Sequence, residues 1–161
     1  MNILNRKTPF GLLCNIVVAI LIACLGNLIV ILLNPTEMMI THPVPLNPPG
    51  YVVGIVWVFL FGCMGAARWI MVSRETPDWR SARRILWLEL LCVAYPLYTA
   101  GLHSLWLGLA GNIVTICAAV WVIYRGAPTS TLAAGLLSLI ICWVCFASIL
   151  VLEQMNFLRL I

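Results

Sequence analysis

Apolar residues run along this chain in five long blocks, parted by short stretches where proline, glycine or charge collects. The blocks fall at about residues 10–33, 51–73, 85–101, 105–124 and 131–152. Each is close to the roughly 20 residues that a helix needs to cross about 30 Å of hydrocarbon. The breaks differ in kind. Asn34 to Gly50 carries Pro35, Pro43, Pro45, Pro48 and Pro49, which exclude a continuous helix and favour an extended, partly rigid loop. Arg74 to Arg84 is strongly charged, and Leu102, His103 and Ser104 leave room only for a tight turn, so the third and fourth blocks must be antiparallel neighbours. Gly126 and Pro128 break the chain before the fifth block. No block repeats another. The pattern predicts an all-α integral membrane protein, a five-transmembrane-helix bundle forming a single membrane domain over residues 1–161.

Composition agrees: of 161 residues, 63% are hydrophobic and 9% charged, too few polar side chains to cover a water-exposed globule. Arg6 and Lys7 before the first block imitate a secretory signal, but that block is longer than a signal's apolar core and lacks a small-x-small cleavage site, so a retained helix is expected. Basic residues near the helix ends set the orientation, because cationic loops resist translocation. Arg6, Lys7, Arg68, Arg74, Arg80, Arg83, Arg84 and Arg125 fall on one side, and Arg159 alone on the other. The N-terminus is therefore expected in the cytoplasm, with the protein in the cell (inner) membrane and the proline-rich loop, the His103 turn and the C-terminus outside. The seven cysteines all sit in apolar blocks and read as small hydrophobes; Cys142-x-x-Cys145 lacks the polar setting and further ligands of a redox or zinc pair.

The junction of the first loop and second block reads Pro48-Pro49-Gly50-Tyr51-Val52-Val53-Gly54-Ile55-Val56-Trp57, followed by Leu60, Phe61 and Met64. The third block holds Tyr95-Pro96 and Gly101, and the fifth holds Trp143, Phe146 and Leu150. Across roughly residues 40 to 155 the chain resembles the TspO/MBR family of tryptophan-rich sensory proteins. In that family a proline-rich loop ending in a P-P-G-W-V-F-like run enters a tryptophan-bearing helix. Tyr51 and Phe61 exchange one aromatic for another. Leu46, Cys92, Val93 and Val151 stand where the family often has tryptophan or asparagine, which strips polar groups from the pocket.

The resemblance implies a five-helix bundle whose pocket, capped by the first loop, binds tetrapyrroles such as protoporphyrin and haem, or sterol-like apolar molecules. It implies no obligatory cofactor; porphyrin or haem would come as ligand. The ligand-binding residues expected are Pro48, Pro49, Tyr51, Trp57, Tyr95, Tyr98, Trp143 and Phe146, the aromatic ones offering ring faces in a mostly apolar cavity. The plain alternative is that aromatic residues in membrane helices pack between helices, face lipid or form interfacial belts. Small residues at Gly62, Gly65, Ala66 and Ala67, and again at Gly108 and Gly111, let helices approach closely; this serves packing within the bundle, or the homodimer that the family implies. Glu89, a carboxylate inside the third block, is a functional suspect by its cost in hydrocarbon, unless it reaches the headgroups or pairs with Arg83 or another basic residue of the adjoining loop. His42 and His103 are conceivable haem ligands, though a lone loop histidine is more often simply solvated. No metal-ligand spacing, nucleophile-base set or phosphate loop occurs, so neither a metal nor an enzymatic activity is indicated. The arginines of the charged stretch have membrane lipid as their nearer partner than nucleic acid. A small secondary transporter or an accessory membrane subunit is the rival reading; a transporter would usually show internal repeats and interrupted helices.

Overall fold

The structure, a computed structural model, describes residues 3–5, 7–33, 48–102 and 104–155, with backbone only at 3, 30–31, 33 and 96–102. A short 3₁₀ turn at Ile3–Asn5 precedes five long helices: α1 Pro9–Leu33, α2 Gly50–Val72, α3 Trp79–Leu102, α4 Leu105–Gly126 and α5 Thr131–Gln154. The proline-rich loop from 34 to 47, His42 and His103 lie outside the described residues.

Four of the five helices begin where a side chain supplies a partner for the first free N–H groups; α2, entered from Pro49, has no side-chain cap. Thr8 Oγ1 accepts from Gly11 N at 3.2 Å, next to Pro9, whose missing N–H costs nothing in a first turn. Ser104 Oγ accepts from Leu107 N at 3.4 Å at the start of α4, and Ser130 Oγ accepts from Ala133 N at 3.3 Å at the start of α5. Asp78 does the same for α3, its Oδ1 accepting from Ser81 N at 2.9 Å. That cap moves the start of α3 to Trp79, six residues before the expected span at Ile85. Arg80, Arg83 and Arg84, expected in a charged loop, are thus helical. Charge opposes burial in hydrocarbon, but it does not oppose helix formation, and arginine is a good helix former.

Four helices are long and apolar enough to cross a membrane: α2, α4, α5 and the Pro9–Ile29 part of α1. The side chains of α3 are described only as far as Tyr95, which leaves too short a run for α3 to be counted with them. The outer surfaces suit lipid rather than water: Leu21 and Leu25 are each 59% exposed and Leu132 is 65% exposed. The inward face of α1, by contrast, is made of Gly11, Asn15, Ala19, Ala23 and Gly26, a small-residue seam at three- and four-residue spacing.

Helix α2 touches α1, α3 and α5; α3 also touches α1 and α4; α4 touches α5. Helices α2, α3, α4 and α5 therefore close a ring, and α1 packs outside it against α2 and α3. Among the described residues neither diagonal, α2 with α4 or α3 with α5, is in contact. The closest approach is between α1 and α2. A Cβ built on Gly65 would stand 2.5 Å from the Asn15 carbonyl oxygen, whereas one on Gly62 would meet Ile16 and Ile20 at 3.7 and 3.9 Å. Packing within the bundle thus accounts for the small residues of α2 at these two positions. The buried core runs through Leu60, Met64, Ala67 and Met71 of α2, Ile85, Leu88 and Cys92 of α3, Ala119 and Val122 of α4, and Leu137, Ile140 and Val144 of α5.

At one end of the bundle, the turn before α3 is tied to the turn before α5. Asp78 N donates to Met71 O at 3.0 Å, and the Asp78 Oδ2 accepts from Thr129 Oγ1 at 3.0 Å. Burial alone would raise the Asp78 carboxyl, but hydrogen bonds from the backbone and side chain of Ser81, from Thr129 and from the Arg80 backbone hold it below its ordinary value of 3.8. A carboxyl lowered on folding contributes stability that is complete above its unfolded value and lost as pH falls through its folded one. Asp78→Ala is expected to cost about 1 kcal/mol near neutrality, the usual worth of a helix cap. The difference from the parent should be full above about pH 4 and shrink below it, as pH falls through the lowered carboxyl value, which thermal unfolding in detergent across pH 2 to 7 would check.

Candidate functional site

Two polar features interrupt the apolar interior, and they lie at different depths. The first is near the Asp78 end. Asn15, 3% exposed on α1, donates through Nδ2 to Leu4 O at 2.7 Å and to Gly11 O at 2.8 Å. Its Oδ1 accepts from Nη1 of Arg68 on α2. Arg68 in turn interacts electrostatically with Glu89 of α3, which is 2% exposed. The charge acting on Glu89 is therefore Arg68 of a neighbouring helix, in place of the expected Arg83 or loop residues. Among the described residues Arg68 Nε and Glu89 Oε1 have no hydrogen-bond partner. One amide and two charges thus join α1, α2 and α3, and Gly65, one turn from Arg68, permits the approach of backbones that brings Asn15 within reach.

The second feature lies in the other half of the bundle. Trp57 stands seven positions into α2 from Gly50, Asn112 seven into α4 from Leu105, Tyr95 seven before the end of α3 at Leu102, and Phe146 eight before the end of α5 at Gln154. At 1.5 Å per residue, all four are about 10–12 Å from the end where the proline-rich loop joins α2. Each comes from a different helix of the closed ring. Trp57 and Trp143 are half-buried against the core; the rings of Trp57 and Phe61 are 5.9 Å apart, and those of Trp143 and Phe146 are 5.5 Å apart. Both pairs are tilted, the arrangement aromatic rings prefer over a flat sandwich. The Asn112 amide faces the Tyr95 hydroxyl across α3 and α4. Asn112 is 2% exposed, and its Nδ2 has no acceptor among the described residues.

Of the residues expected from sequence, Trp57, Tyr95, Trp143 and Phe146 belong to this half of the bundle. Pro48 and Pro49 lie directly before α2, with Pro49 N-terminal to its first turn, and Tyr51 is 72% exposed at that end. The side chain of Tyr98 lies outside the described residues. Asn112 was missed: one asparagine in an apolar block carries little weight alone. A signal was nevertheless available, since 95 and 112 each lie seven residues from the helix ends that flank the turn, Leu102 and Leu105, so the antiparallel pair must place them opposite each other.

Among the described residues no group of three or more histidine, cysteine, aspartate or glutamate side chains is placed to hold a metal ion. What the upper half of the ring offers is aromatic faces, an apolar wall and an unsatisfied amide donor. No curated protein matches the chain. The TspO/MBR family model matches residues 16–156, which takes in α1 from residue 16 onward, the whole of α2 to α5, and with them Trp57, Trp143 and the Tyr95–Asn112 pair. The chain is an integral membrane protein and belongs to the TspO/MBR family.

Proposed function

We propose that this chain is a membrane receptor, sensor or carrier that holds a flat apolar ligand, a tetrapyrrole such as protoporphyrin or haem or else a sterol-like molecule, between α2, α3, α4 and α5. Helix α3 crosses the membrane with the other four: it is packed between α1, α2 and α4, and Glu89 is buried rather than turned to lipid. The observation that supports the reading best is that Trp57, Tyr95, Asn112 and Phe146 share one level of the ring. Rings supply stacking area, and the free Asn112 donor suits the one kind of polar group that both ligand classes carry, an oxygen acceptor, in the form of a propionate or a hydroxyl. A buried donor without a partner costs about 1–3 kcal/mol, which a ligand oxygen would return. Pro48 and Pro49, with Tyr51 beside them, stand at the mouth of this region, where they border the ligand's path. The reading is non-enzymatic.

A direct titration with protoporphyrin, haem and a sterol in detergent tests it. The expected result is saturable quenching of tryptophan emission by at least one tetrapyrrole, or displacement of a tetrapyrrole by the sterol. If none of the three binds, the structural-subunit or transporter reading replaces this one.

A further inference from the structure

At the Asp78 end, Arg80, Arg83, Arg84 and Trp87 recur at intervals of three, one and three along α3 and so share one helix face. Together they line a shallow groove of about 310 Å³. The Arg84 guanidinium lies 5.1 Å above the ring of Trp121 from α4, so a second indole stands beside one of the groove's arginines. Among the described residues no carboxylate pairs with Arg80, Arg83 or Arg84, and the nearest, Asp78, is committed to Ser81 and Thr129. Trp87 is 69% exposed and Trp121 is 51% exposed.

Both helices carry the same order of chemistry away from this end. On α3, arginines are followed by Trp87 and then by exposed Leu90; on α4, read in the opposite direction, Arg125 is followed by Trp121 and then by exposed Ile113 and Val114. Cation, indole and hydrocarbon succeed one another as phosphate, glycerol and acyl chain do in a lipid leaflet. A free phosphate would use only the first of these three layers.

We infer that this groove on α3, with Trp121 of α4 beside it, is a binding site for an anionic glycerophospholipid, its phosphate held by Arg80, Arg83 and Arg84 and its glycerol and upper acyl chains lying on Trp87 and Trp121. The site is separate from the proposed ligand chamber and depends on α3 lying in the membrane.

The test is tryptophan quenching in phosphatidylcholine vesicles that contain a minor fraction of either brominated phosphatidylglycerol or brominated phosphatidylcholine. The parent should be quenched more by the anionic lipid. Arg80→Gln with Arg83→Gln should lower the apparent affinity for it roughly 30-fold, about 2 kcal/mol for two charges near the surface. Arg80→Lys with Arg83→Lys, which keeps the charge and controls for folding, should retain most of the excess quenching. Equal quenching of the parent by both brominated lipids, or an excess that persists in the double glutamine variant, overturns the proposal. Loss of the excess on adding inorganic phosphate also overturns it, since the groove would then be a free-anion site. Absence of quenching by brominated phosphatidylcholine would show that the indoles do not meet lipid at all, a result that leaves the tetrapyrrole titration unaffected.

Discussion

Replacing Arg68 by alanine is expected to destabilise the bundle by about 1–3 kcal/mol, the cost of leaving a buried polar group without its partner. The stranded groups are Glu89, 2% exposed on α3, and the Asn15 Oδ1 that Arg68 serves on α1. Removing both charges is a different experiment. Arg68→Met with Glu89→Leu trades the pair for apolar groups of similar length, and such exchanges are commonly neutral or favourable. The double variant should therefore recover the share of the loss that comes from Glu89, leaving the cost of the Asn15 oxygen. Reversible unfolding in detergent and SDS mixtures would measure both. If Arg68→Ala unfolds at the same denaturant fraction as the parent, Arg68 is only a topological charge and the cluster holds nothing together.

The second large effect concerns Gly65. A methyl group there would press on the backbone of Asn15 at 2.5 Å, and a backbone inside a helix cannot swing aside as a side-chain tip can. Helices α1 and α2 would have to separate, so Gly65→Ala is expected to cost about 1–3 kcal/mol, as over-packing does elsewhere. It should also loosen the Asn15 bond to Arg68. Gly62→Ala, one turn away, meets only side chains at ordinary contact distance and should leave the thermal midpoint unchanged or slightly raised. Equal midpoints for the two variants would contradict the close approach of α1 and α2.

These two residues also illustrate what sequence could and could not convey. Helix number and most boundaries were legible because apolar blocks and their breakers are local signals; α1, α2, α4 and α5 begin and end within a residue or two of the expected spans. The start of α3 was not, since arginines read as the end of a membrane segment when they are only the end of its apolar part. Arg68 was counted with the charges that set orientation, and nothing in its neighbours on α2 says that its side chain turns inward toward α1 and α3. Glu89 was legible as costly, yet its partner lies on another helix and required the packing of α2 beside α3. Of the candidate site, Trp57, Tyr95, Trp143 and Phe146 were found through family spacing and aromatic chemistry. Asn112 emerges only when α3 and α4 are folded against each other about their turn.

The central claim is that a flat ligand lies against the rings of Trp57 and Trp143, and porphyrin titration of single-ring variants tests it most directly. Each of Trp57→Phe and Trp143→Phe forfeits indole stacking worth about 0.5–1.5 kcal/mol. The account therefore predicts a dissociation constant roughly two- to twelve-fold weaker for each, by the relation of tenfold per 1.4 kcal/mol, with the protein still monodisperse. Trp79→Phe, at the first residue of α3 and the opposite end of the bundle, should bind as the parent does. Parent-like porphyrin binding by both Trp57→Phe and Trp143→Phe, or weakening by Trp79→Phe alone, would contradict the placement of the ligand between α2 and α5.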